Sequence, residues 1–131
     1  MFFVDNDTNA IRAVKKNLQD TGFLKRAVIL KINVFALLTF LKNKHIKFDL
    51  ILVAPPYKLL DIDCKDRKRI FSLLDECVSR QNINEEGVIV LQHHKKQMFN
   101  QDSFKHLKVV DERRYGNTQL TFLMNKLSPK L

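Results

Sequence analysis

A chain of 131 residues is long enough for one domain with a single buried core and short for two. Its 45% hydrophobic and 28% charged residues are ordinary for a globular protein, and no apolar run approaches the roughly 20 residues that span a bilayer. The formal charge of +9 favours a polyanionic partner, because clustered Lys and Arg gain free energy by releasing counterions from phosphates.

Phe2-Phe3-Val4 reads as a short strand, and its abrupt end at Asp5 and Asp7 is unlike a signal peptide or anchor, so a cytoplasmic protein is expected. From Asp7 to Thr21, Ile11, Val14 and Leu18 fall on one helical stripe that Gly22 closes. Ala27 to Ile32 is the next β-rich run, and Val34 to Lys42 follows as a helix with Phe35, Leu38 and Leu41 on one side. Phe48 to Val53 is nearly all apolar, as a strand covered on both faces should be, and stops at Pro55-Pro56, which cannot donate ladder hydrogen bonds.

Lys65 to Ser79 carries Ile70, Leu73, Leu74, Cys77 and Val78 at helical spacing, and Gly87 to Leu91 is a further buried strand. Leu107 to Arg113 and Thr118 to Met124 are β-rich runs joined by Tyr115-Gly116-Asn117, a hairpin signal. Alternating strands and helices closed by a hairpin specify one α/β domain over residues 1–131, with a three-layer, mostly parallel sheet and a short basic tail at 126–131.

Cys64 and Cys77 are too far apart for a CxxC pair and read as reduced thiols, Cys77 within the core. His93 and His94 are adjacent and point to opposite sides of a strand, so no metal site is expected. The Lys-rich stretches Lys15-Lys16 and Lys65 to Arg69 read as solvated helix faces.

Directly after the buried strand, Ala54-Pro55-Pro56-Tyr57 resembles the (Asp/Asn/Ser)-Pro-Pro-(Tyr/Phe) motif of amino-group methyltransferases. With Phe3 to Asp7 before a helix, Gly87 to His93, and Arg113 to Phe122, in that order and spacing, the chain is similar to the RsmD-type ribosomal RNA guanine-N2 methyltransferases. That resemblance implies a Rossmann-like class I methyltransferase fold. It implies transfer of a methyl group from S-adenosylmethionine to the exocyclic N2 of a guanine in 16S ribosomal RNA, naked or within a small-subunit assembly intermediate.

A base amine is a poor nucleophile, so such a site must orient its lone pair, exclude water and accept hydrogen bonds from its N–H groups as positive charge develops. The resemblance assigns this work to Ala54, Pro55, Pro56 and Tyr57: stiff backbone carbonyls meet the amine, and the Tyr57 ring stacks on the base. The first motif position also contributes a side-chain acceptor in the family, which Ala54 lacks. The same resemblance assigns Asp5 to the ribose hydroxyls of the cofactor, Asn33 to the adenine amino group and Val34 to the adenine face. His93, with Gln92 in place of the family's Glu, and Arg113, Arg114 and Tyr115 are expected at the RNA face.

Family members also carry a first strand and a glycine-rich loop around the methionine end of the cofactor; this chain has no Gly before Gly22 and covers roughly the last two-thirds of the pattern. The missing strand would lie mid-sheet, leaving edges that pair with each other, with another chain as an oligomer, or with an absent piece. The resemblance thus implies an impaired enzyme. The alternatives are a noncatalytic RNA-binding relative, in which cofactor binding is lost, or a decayed fragment.

Overall fold

The computed structural model describes residues 1–129, so the last two residues of the basic tail, Lys130 and Leu131, lie outside the described residues. The chain forms two compact units, Met1–Lys42 and Asn43–Leu131.

In the first unit, β1 (Phe2–Asp5) and β2 (Val28–Lys31) pair in parallel from Phe2↔Val28 to Asp5↔Lys31. Between them runs α1 (Thr8–Asp20). It starts where Asp7 accepts a hydrogen bond from the Ala10 N–H through its carboxylate at 2.9 Å, satisfying one orphan donor of the first turn. It stops at Gly22, whose φ of 76° lets Phe23 donate to the Leu18 carbonyl and Gly22 to that of Gln19. Leu18, on the expected stripe, is buried.

The helix expected over Val34 to Lys42 is shorter. Asn33 caps a 3-10 turn at Val34–Ala36, and α2 covers only Leu37–Leu41, with Leu38 and Leu41 buried. Asn43 then turns left-handed at φ 64°, a conformation that asparagine tolerates better than most residues.

The second unit is built on a four-stranded sheet in the order β3-β4-β6-β5, with β3 (Phe48–Val53), β4 (Ile83–His94), β5 (Leu107–Tyr115) and β6 (Thr118–Asn125). β3 and β4 are parallel, whereas β6 runs antiparallel to β4 and β5. The strand expected at Gly87 to Leu91 is thus part of a longer one. β4 lies between two partners, and their ladders carry it through the polar ends that periodicity treated as loop. Its register against β3 shifts between Phe48 and Leu50, and a Cβ at Gly87 would meet Ile83 Cγ1 at 2.5 Å and the Asn84 carbonyl at 2.9 Å. Only glycine fits that irregularity.

The crossover between β3 and β4 is α3 (Lys65–Ser79), the span its apolar spacing predicts. Ile70, Phe71, Leu74 and Cys77 are its buried side, and burial pushes the Cys77 thiol up to about 11. From α3, the Asp75 carboxylate accepts the backbone N–H groups of Lys105 and His106, both at 2.8 Å, fixing the approach to β5. Leu60, Ile89, Leu91, Leu107 and Leu123 are fully enclosed.

The expected hairpin closes β5 on β6 with Tyr115↔Thr118 opposite each other and Gly116 at φ 62°. A positive φ at the first of two central residues is the type II′ geometry, which suits the sheet's twist. Among the described residues no helix is long and apolar enough to cross a membrane.

Candidate functional site

Parallel strands deliver their carboxyl ends side by side, which is where α/β folds place ligands. In the first unit that edge carries Asp5, register partner of Lys31, and Asn33 two residues beyond Lys31. Asp7 caps α1, so Asp5 is not spent on the helix. Its Oδ1 accepts the Asp7 N–H at 2.9 Å, and its other oxygen has no protein partner among the described residues. Asn33 uses Oδ1 to accept the Phe35 N–H at 3.0 Å, so the oxygen expected at adenine already holds the turn with one of its two lone pairs. Val34, beside it, is exposed.

In the second unit the register Val53↔Leu91 sets the chain leaving β3 beside the chain leaving β4. Ala54 and Pro56 are exposed and Pro55 half-buried; Pro56 then opens a 3-10 turn over Tyr57–Leu60. Tyr57 is half-buried and held on several sides. Its hydroxyl shares a 2.7 Å hydrogen bond with Thr118 Oγ1 on the hairpin, and its ring meets the His94 ring edge-on at 5.8 Å. The far end of the turn is strapped by Arg67, which donates to the Leu60 carbonyl at 2.7 Å and the Met98 carbonyl at 2.8 Å. The same guanidinium lies over the Phe71 and Phe99 rings, and burial holds its pKa below the usual arginine value.

His93 does not reach an RNA face. It is 1% exposed and packed edge-on against Phe99, and side-chain alternation on β4 sends it inward. Its Nδ1 lies 3.0 Å from the His94 carbonyl, which can only accept, so Nδ1 carries the proton and Nε2 accepts from the Thr121 hydroxyl at 2.7 Å. The histidine at the loop is the next one, His94.

Burial lowers the His93 pKa despite the His94 carbonyl, which favours its charged form. A folded-state pKa depressed below the unfolded value of about 6.5 means that the unfolded chain takes up the proton first, so stability should fall as pH drops below about 6.5. Urea melts between pH 5 and 8 check this: His93→Gln should flatten the dependence, and equal slopes in the two proteins would refute the assignment.

Arg113 donates to Asp111 at 3.0 Å and stacks over the Phe122 ring, while Arg114 and Tyr115 are exposed near the hairpin tip. The structure therefore brings Tyr57 together with Thr118, His94 and Gln97, to none of which the motifs assign a role, although Thr118 lies within the Arg113 to Phe122 segment. The signal available in sequence was indirect: residues following two adjacent parallel strands share an edge.

Asp5 and Asn33 suit the nucleoside end of a cofactor such as S-adenosylmethionine, offering an open carboxylate oxygen to ribose hydroxyls and an amide to a base. The methionine end finds no matching residues among those described. Gly22 ends a helix, Gly87 sits inside β4 and Gly116 turns the hairpin, so no glycine forms a loop between a strand and a helix. Nor is any group of three or more metal-ligating side chains brought together among the described residues.

No curated protein matches the sequence. A conserved hypothetical protein from Streptococcus pyogenes shares the fold with a TM-score of 0.76 at 18% identity, covering 97% of this chain and 72% of its own. The putative methyltransferase yhhF from Escherichia coli gives 0.66 at 14%, covering 95% and 61%. A putative methyltransferase solved complexed with SAH, SMU.776, gives 0.67 at 11%, covering 94% and 38%. These likenesses establish the Rossmann-like α/β fold, of which the chain spans only part of each relative's length. The family model described as Conserved hypothetical protein 95 matches residues 1–124, and this chain therefore belongs to that family, the RsmD-type group that its motifs resemble.

Proposed function

We propose that the chain is a S-adenosylmethionine-dependent methyltransferase acting on the N2 amine of a guanine in 16S ribosomal RNA, with its transfer step weakened at Ala54. The observation that carries the reading is the half-buried Tyr57, pinned at the carboxyl end of β3 immediately after two prolines. A part-exposed ring anchored through its hydroxyl suits stacking on an unpaired base. The backbone carbonyls before it, whose directions the prolines restrict, accept the amine's N–H groups as charge develops. Asp5 holds the ribose hydroxyls, with Asn33 and Val34 at the adenine. The cofactor, when bound, supplies a methyl group activated on a sulfonium. Arg114 and Tyr115, together with Lys95 and Lys96 in the turn after β4, supply the phosphate and base contacts that a charge of +9 favours.

Incorporation of labelled methyl groups into 16S ribosomal RNA and small-subunit precursors tests this reading. Label at guanine N2 supports it; no label in any RNA, with no cofactor binding by calorimetry, defeats it. Tyr57→Ala should weaken RNA binding by about 5- to 100-fold, the equivalent of losing one base–aromatic stack. Filter binding at fixed salt measures that loss, and an unchanged affinity would remove Tyr57 from the interface.

A noncatalytic relative that retains RNA binding is the second reading, and the methyl side chain of Ala54 favours it. Calorimetry separates the two, since micromolar binding of S-adenosylmethionine contradicts the noncatalytic reading.

A further inference from the structure

Gln97 lies in the turn after β4, 40 residues from Tyr57 in sequence, and its side chain is buried. Its amide nitrogen donates to the Tyr57 carbonyl at 2.5 Å and to Asp61 Oδ1 at 2.7 Å, while its amide oxygen accepts the His94 N–H at 3.0 Å. Tyr57 opens the 3-10 turn and Asp61 caps its end, so one amide grips both ends of it and ties them to the chain leaving β4. At the ends of the turn Leu59 donates to the Pro56 carbonyl and Asp61 to that of Lys58. The prolines stiffen the chain before Tyr57; nothing in their chemistry fixes the backbone beyond it.

From this geometry we infer that Gln97 is a positioning residue for the base-receiving loop, a role that rests on the methyl-transfer reading above. It sets the backbone of Tyr57, and with it the direction of the ring and of the carbonyls before it. Orientation errors of about 1 Å in such a loop cost on the order of 10²-fold in rate. Glutamine suits the position because it donates twice and accepts once. Glutamate keeps the acceptor for His94 but sets a carboxylate against the Tyr57 carbonyl and the Asp61 carboxylate. Only its protonated form donates.

The experiment compares wild type, Gln97→Ala and Gln97→Glu in two readouts. The first is the ¹⁹F NMR signal of fluorotyrosine at position 57, resolved in a Tyr115→Phe background because the chain has only two tyrosines. The second is the kinetics of methyl transfer to guanine-containing RNA. Gln97→Ala should shift or broaden the Tyr57 signal and lower kcat about 10- to 100-fold, with the KM for S-adenosylmethionine unchanged. Gln97→Glu should be as impaired at pH 8 and recover relative to wild type toward pH 5, in signal and in rate. That reversal within one folded sample excludes a simple folding defect.

An unmoved Tyr57 signal, a wild-type kcat in Gln97→Ala, or a Gln97→Glu defect indifferent to pH would overturn the assignment. If wild type transfers no methyl group while the Tyr57 signal responds as described, the methyl-transfer reading fails and the control of the loop by Gln97 stands.

Discussion

Ala54→Asp is expected to raise methyl transfer to guanine-containing RNA by about 10²- to 10³-fold, the scale on which enzymes lose rate when one preorganised polar partner is removed from the reacting centre. On the proposed reading the loop's backbone carbonyls meet an amine that turns cationic as it reacts, and hydrogen bonds to a side-chain acceptor at the head of the double proline would strengthen in the transition state. Ala54 is exposed at the end of β3, so the new carboxylate meets no steric obstacle and carries little desolvation cost before substrate arrives. Ala54→Asn, a neutral acceptor, should give a smaller rise and Ala54→Val none. Initial rates with labelled cofactor at saturating RNA measure the effect. Equal rates for the aspartate and valine variants would show that this position does not face the amine.

Leu91→Ala should cost about 2–5 kcal/mol of stability, since a large enclosed side chain leaves a cavity that its neighbours only partly fill. Leu91 has no exposed surface and sits mid-sheet, opposite Val53 on β3 and Thr121 on β6. Two strands fix the backbone around it and limit collapse. Leu52→Ala is the internal control: the same chemical change on the adjacent strand, at a side chain 72% exposed, should stay within about 0.5 kcal/mol. Urea denaturation of the three proteins reports the difference as a lowered midpoint at constant slope. A loss below about 1 kcal/mol at Leu91 would mean that the sheet centre is less tightly packed than its burial indicates.

The elements behind these two effects differ in how far their letters reveal them. The β3 and α3 spans are readable because an unbroken apolar run stopped by prolines and an amphipathic helix each leave a clear pattern, yet β3 is an edge strand with Leu50 and Leu52 exposed and is not covered on both faces as its composition suggests. The hairpin was equally readable, since Gly116 supplies a backbone conformation that few residues adopt. β4 was half-read, as its polar ends extend beyond the apolar run, the first joined to β3 at Phe48↔Ile83 and the last to β6 from Gln92 to His94.

The Pro-Pro-Tyr loop of the second unit and Asp5 of the first could be proposed for function because short motifs tie each to a strand end. His93, which the resemblance assigns to the RNA face, is buried because alternation along β4 turns it inward, and the motif does not state which face a strand residue occupies. Gln97 and Thr118 act through hydrogen bonds to distant residues, which leave no periodic trace.

One irregularity governs how the end of β5 presents its side chains. Val109 pairs with Leu123 and Asp111 with Phe122, so Val110 is one residue too many. By simple alternation from Leu107 and Val109, the residues Asp111, Arg113 and Tyr115 would continue the face shared with Leu123. The extra residue moves them to the face of Phe122, where the Arg113 guanidinium covers that ring. Deleting Val110 would leave every pairing beyond it intact while straightening the strand. The charged end of the hairpin thus holds its face through its pairing with β6, and the strand absorbs a surplus residue as a bend without handing those side chains to the other side.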